Sequence, residues 1–208
     1  MPTITAARSW YPDYDPAHGF AHIRRVYNLC ERLGREEDAN LKILRAAALL
    51  HDAKSGPDVR EEHHIASAEF AQQVLHAEGW PDDQISAVQH CIRAHRFRDR
   101  TEQPQTIEAQ VLFDADKLDS IGAVGVVRAL AYAIFNGQEV YFSPSERFLS
   151  TGEREPGEPH TPHHEFIYKL RHIESQLFTP SGKALARQRH HFLVHFFEQF
   201  DAEINGLC

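Results

Sequence analysis

The chain has 208 residues, 42% hydrophobic and 25% charged, enough for one domain with a sizeable core. Its formal net charge of −8, with histidines neutral, excludes broad binding to nucleic-acid polymers or anionic membranes, which calls for a basic face. No run approaches the roughly 18 consecutive apolar residues of a membrane span, and the N-terminus carries no signal-peptide core. The three cysteines, Cys30, Cys91 and Cys208, have no metal-ligand spacing, so a reduced, cytoplasmic protein is expected.

Residues 1–14 read as an irregular lead-in. Asp15-Pro16 is a helix start, an N-cap acceptor followed by proline, and Ile23, Val26, Cys30 and Leu33 carry that helix to about Gly34. His18 and His22 share one face. Asp38 caps a second helix whose Ala46-Ala47-Ala48-Leu49-Leu50 is apolar nearly all round and ends in His51-Asp52. A third helix runs from Glu61 to Glu78, ended by Gly79, and a fourth from Asp82 to His95. The loop after it, with Arg96, Arg98 and Arg100, is the densest basic cluster.

From Thr106 to Gly137 the pattern is one long helix carrying Asp114, Asp116 and Asp119; Gly122 and Gly125 mark a kink or a close helix approach. Residues 138–162 lose periodicity and read as a long loop. Two helices close the chain, about His164–Leu177 and Thr179–Asn205, the second burying Phe192, Phe196, Phe197 and Phe200. The fold class is all-α, a single-domain bundle of about seven helices over 15–206, monomer or homodimer.

Two ionisable residues at the inner end of a buried helix are costly unless paired. A divalent metal pairs them, taking a neutral imidazole nitrogen from His51 and a carboxylate oxygen from Asp52. The alternative is a histidine favoured by the helix C-terminus beside a solvated aspartate. Fifteen histidines, several close in sequence, favour metal or phosphate chemistry. His22 and Asp116 add inward-facing donors, giving two nitrogens and two oxygens, a mixed set that suits Mn, Mg, Fe, Co or Ni better than structural zinc.

The order His22, His51-Asp52, Asp116 resembles the H…HD…D signature of the HD-domain phosphohydrolase superfamily. The flanks tighten the resemblance. They are His18-Gly19-Phe20-Ala21-His22-Ile23-Arg24-Arg25-Val26, His90-Cys91-Ile92-Arg93-Ala94-His95, Asp114 through Gly125 with Arg128, and Thr179-Pro180-Ser181-Gly182. They are similar to the small stand-alone bacterial branch, some of whose members are nucleotide pyrophosphohydrolases. The resemblance implies an HD-type helical bundle, with His22, His51, Asp52 and Asp116 holding one divalent metal, Mn²⁺ first among the candidates; the alternative, as in two other branches, is a second metal on extra histidines, for which His63, His64, His90 and His95 lie in the right interval. It implies hydrolysis of phosphate esters or anhydrides in a small phosphorylated metabolite, a nucleotide first. Lys54, His90 and His95 are the candidate catalytic groups, with Arg96 and Arg128 as further cations. Asp119 is a candidate to orient a ligand, or else one half of a salt bridge, and His160, His163 and His164 are expected at the surface. The alternative from another class is a non-catalytic nucleotide-binding HD regulatory module. An output domain, which a sensor needs, is not apparent.

Overall fold

A computed structural model describes residues 1–12, 19–55, 62–96 and 102–208. The fold is all-α. Among the described residues there are ten α-helices and no strand, and no single helix is long and apolar enough to cross a membrane. The chain divides into two compact units, 1–117 with 177–182, and 118–176 with 183–208, where the sequence pattern suggests a single domain.

In the first unit the lead-in is not irregular: a short α1 (Ile4–Ala7) forms, its N-terminus capped by the Thr3 hydroxyl. Asp15-Pro16 and His18 lie outside the described residues. The first long helix, α2, spans Phe20–Glu36. The next, α3 (Leu41–Leu50), starts at Asn40 rather than Asp38. The Asn40 side chain accepts from Lys42 N and Ile43 N, while Asp38 takes the left-handed conformation, φ 53°, which aspartate tolerates. Two further helices, α4 (His63–Ala77) and α5 (Asp82–Ala94), follow, and α3 packs on α2, α4 and α5. That central place explains why Ala46 to Leu50 are all buried, while Lys42 on the first turn stays exposed.

The helix expected over 106–137 is two helices, α6 (Ile107–Leu118) and α7 (Gly122–Phe135). Both glycines act at the break. Gly122 adopts a φ of 73° and a Cβ there would press on Arg189, while a Cβ on Gly125 would clash with the Ser120 carbonyl oxygen. An unbroken helix needs neither. On α6, fully buried Asp114 accepts from Phe178 N, Thr179 N and Thr179 Oγ1 at 2.9, 2.8 and 2.6 Å. It thereby satisfies donors at the start of α10 (Pro180–Ile204).

In the second unit the expected loop 138–162 contains a helix, α8 (Glu146–Thr151), capped by Ser145. Thr161 and Pro162 open α9 (Pro162–Tyr168), which is followed by two 3₁₀ turns, not the long helix the pattern suggested. Phe197 is buried on α10 but Phe192 is 47% exposed, and Leu193 takes the inward place. His164 is not a surface residue. It is fully buried, with Nε2 3.0 Å from Glu158 Oε1 and Nδ1 2.7 Å from Thr161 Oγ1. Glu158 also accepts from Ser145 N, Ser145 Oγ and Glu155 N, which gathers the 145–164 segment around one carboxylate.

Two outcomes follow for stability. Asp114→Ala leaves buried donors without their charged acceptor and lowers the urea unfolding free energy by about 3–5 kcal/mol, whereas Phe192→Ala changes it by less than about 0.5 kcal/mol. The second concerns acid. Burial pushes the Glu158 carboxyl up, but His164 and the Ser145 and Glu155 donors win and bring it down to about 2 from 4.5. Burial moves His164 below its usual 6.5 despite Glu158. In both cases the unfolded chain binds the proton more readily, so stability is present at neutral pH and lost on acidification. It falls first below pH 6.5 through His164, then between 4.5 and about 2 through Glu158. Thermal melts across pH 7 to 2 are expected to show this decline, and Glu158→Gln flattens the part below pH 4.5.

Candidate metal centre

Six side chains of the first unit converge. α2 supplies His22, the C-terminal end of α3 supplies His51 and the turn after it Asp52, α4 opens with His63, His95 closes α5, and α6 brings Asp116. His22, His51, Asp52 and His95 are each 6% exposed or less.

Main-chain contacts orient two of the rings. His51 Nδ1 donates to the Ala48 carbonyl at 3.0 Å, and His95 Nδ1 donates to the Ile92 carbonyl. Each leaves Nε2 pointing inward. His51 Nε2 lies 3.3 Å from His22 Nε2. Asp52 Oδ2 is 3.8 Å from His22 Nε2 and 3.7 Å from His51 Nε2, while Asp116 Oδ1 is 3.4 Å from His22 Nε2. The other oxygen of Asp52, Oδ1, is buried without a hydrogen-bond partner, 3.5 Å from both His63 Nε2 and His95 Nε2. Ligand atoms of His22, His51 and Asp52 lie within 4.8 Å of one another, and so do those of Asp52, His63 and His95.

Protonation favours cation binding. Burial pulls His51 down to about 4, so its imidazole is neutral at pH 7 and its lone pair is available. Burial pushes Asp52 up, yet the facing His51, His95 and His22 hold it well below the usual carboxylate range. Asp116 is likewise held low against burial, by Lys117 and His22. Two ionised carboxylates, a neutral imidazole and an orphaned buried oxygen form a negative pocket that a divalent cation neutralises. The residues present fit a metal.

The remaining sequence candidates fall elsewhere. His90 is not brought to the cluster: its Nδ1 meets Glu102 at 2.6 Å and its Nε2 accepts from Gln105 N. Lys54 is exposed, its ammonium 4.3 Å from the centre of the Phe70 ring. Arg128 donates to Asp119 Oδ2 at 2.7 Å and to its carbonyl at 3.1 Å, so Asp119 is the salt-bridged carboxylate of the two alternatives. Arg98 and Arg100 lie outside the described residues. Of the histidines between His51-Asp52 and Asp116, His63 and His95 face Asp52, whereas Lys117, which contacts Asp116, was not singled out by spacing. The available signal for Lys117 was a lysine inside a helix whose 109 and 111–115 positions are all buried, where an ammonium must be paired.

The HD domain family matches residues 19–121, which contain all six converging residues. Over nearly its whole length the chain also resembles YpgQ of Bacillus subtilis, 31% identical over 98% of this chain and 92% of the relative. The chain belongs to the HD domain family, whose members bind a divalent metal through histidine and aspartate. Its fold is similar to that of YpgQ solved in complex with ADP (TM-score 0.74, 28% identity, 99% of this chain and 100% of that one). A protein of Lactobacillus plantarum gives a TM-score of 0.76 at 30% identity, over 98% of this chain and 95% of the other. An HD-superfamily hydrolase of Bacillus thuringiensis gives 0.66 at 27% identity, over 89% and 86%.

If this pocket holds the metal, Mn²⁺ at 100 times its dissociation constant stabilises the wild type by about 2.7 kcal/mol. Asp52→Ala is expected to lose that gain and to retain no stoichiometric metal after dialysis, read by thermal shift and elemental analysis.

Proposed function

We propose that this chain is a metal-dependent hydrolase of phosphate ester or anhydride bonds in a nucleotide, with His22, His51, Asp52 and Asp116 holding one divalent ion, Mn²⁺ first among Mn, Mg, Fe, Co and Ni. The observation that carries the reading is the convergence of ligand atoms of His22, His51 and Asp52 within 4.8 Å of one another, with Asp116 Oδ1 3.4 Å from His22 Nε2. The likeness to HD-superfamily hydrolases supports the reaction class, and the ADP bound to YpgQ supports a nucleotide ligand. When bound, a divalent ion at such a site supplies Lewis acidity to a phosphoryl oxygen and lowers the pKa of a water.

The chain's own groups then have separable tasks. His22 and His51 present ring nitrogens from buried positions that exclude bulk water, and that of His51 is neutral at pH 7. Asp52 sets the spacing between the two imidazole pairs, since one of its oxygens faces each pair. With Nδ1 committed to the Ile92 carbonyl, His95 carries any further proton at Nε2, where it is a donor toward an anionic oxygen. A role for Lys54 requires it to leave the Phe70 ring. The acidic surface fits a small cytoplasmic substrate rather than a nucleic-acid polymer or a membrane, and the fold suits a monomer or homodimer.

The test is phosphate and pyrophosphate release from a nucleotide panel with Mn²⁺. Wild type is expected to hydrolyse at least one nucleotide, and Asp52→Ala to lose on the order of 100-fold or more of that rate, since even indirect damage to a metal centre costs 10–100-fold. His95→Ala lowers the rate and His90→Ala leaves it near wild type. Nucleotide recovered bound and unchanged from metal-loaded wild type overturns the hydrolase reading in favour of a binding module.

A further inference from the structure

Lys117 follows Asp116 directly on α6. Successive residues on a helix point about 100° apart, so their side chains do not ordinarily meet. Here they do: Lys117 Nζ lies 2.6 Å from Asp116 Oδ2. The lysine side chain is 8% exposed, and its ammonium sits 5.2 Å from the centre of the Phe113 ring. An ammonium buried this far is costly unless paired; the carboxylate and the ring face offset that cost. The contact divides the Asp116 carboxylate. Oδ2 is held by Lys117, and Oδ1 faces His22 Nε2 at 3.4 Å. Asp52 is arranged differently, with imidazoles facing both of its oxygens. Lys54 and Arg128, the cations that sequence pattern put near the centre, are turned to Phe70 and Asp119.

We infer that Lys117 is a positioning residue of the metal centre: it pins the outer oxygen of Asp116 and so presents the other oxygen toward His22 as a ligand atom. This rests on the metal reading of the cluster and adds a residue to it. The sign of one measurement separates positioning from mere proximity. A lysine that only sat nearby would repel a divalent cation, and deleting its charge would tighten metal binding. A lysine that holds Asp116 in its ligating pose does the reverse, because losing a partner that orients a ligand costs 10–100-fold in affinity.

The experiment is a Co²⁺ titration of the full chain without substrate, followed by visible absorption and calorimetry, on wild type, Lys117→Met and Lys117→Arg. Circular dichroism melts run beside it. Lys117→Met is expected to bind Co²⁺ about 10–100-fold more weakly with a shifted ligand-field band, and Lys117→Arg, which keeps a cationic donor, to recover part of both. Equal or tighter binding with an unchanged band in Lys117→Met overturns the inference. Should Lys117→Met fail to fold, Lys117→Gln is compared with Lys117→Arg on the same criteria. A wild type that takes up no Co²⁺ defeats the metal reading itself, and this inference with it. A wild type that binds while the variants match it defeats the positioning role alone.

Discussion

A carboxylate buried at the end of an apolar helix is the constraint on which the first unit turns. Asp52 follows a helix whose last five residues are all buried against its neighbours, in surroundings where an ionised group without compensation is untenable. The chain answers with imidazoles. Four of them, from α2, α3, α4 and the end of α5, face the two Asp52 oxygens at 3.5–3.8 Å. Those distances are too long for good hydrogen bonds, so the compensation is incomplete, and incompleteness is what a metal site looks like before its ion is considered. The packing of α3 on α2, α4 and α5 and the convergence of ligands are therefore one arrangement: the helices that bury α3 are those that carry the donors.

Much of this was readable from residue order. The apolar run into His51-Asp52, with His22 before it and Asp116 after it, marked the centre because burial and ionisability conflict there. Caps and breakers fixed most helix ends. Pattern did less well where tertiary context decides. His90 and His95 are five residues apart and so lie on different faces of α5; which face turns inward depends on how α5 rotates against α3, and periodicity does not report that. Phe192 and Leu193 pose the same problem on α10. The break between α6 and α7 was signalled by Gly122 and Gly125, but two glycines are equally consistent with a continuous helix that another approaches closely. Lys117 escaped notice because its contact is between adjacent residues, which helical geometry ordinarily forbids.

Charge is deployed unevenly. The net charge is acidic, yet the centre is assembled from imidazoles, two ionised carboxylates and a buried ammonium rather than from a basic surface. Polar groups in the second unit follow the same logic without a metal: Glu158 is satisfied by His164, Ser145 and the Glu155 backbone, a closed network that orders a segment with little periodicity of its own. The contrast is instructive. Both are buried carboxylates facing histidine, but one has donors for its lone pairs and the other has an oxygen left over.

His51 and His95 are aimed by the same device, a ring nitrogen donating to the carbonyl three residues earlier in their own helix. In many metal centres that duty falls to a neighbouring side chain, which then has to be retained along with the ligand. Here the aiming group is main chain, present whatever amino acids stand at positions 48 and 92. The orientation of these two rings is thus insulated from drift in the surrounding sequence. It is also local: each ring takes its bearing from the last turn of its own helix, not from a residue distant in sequence.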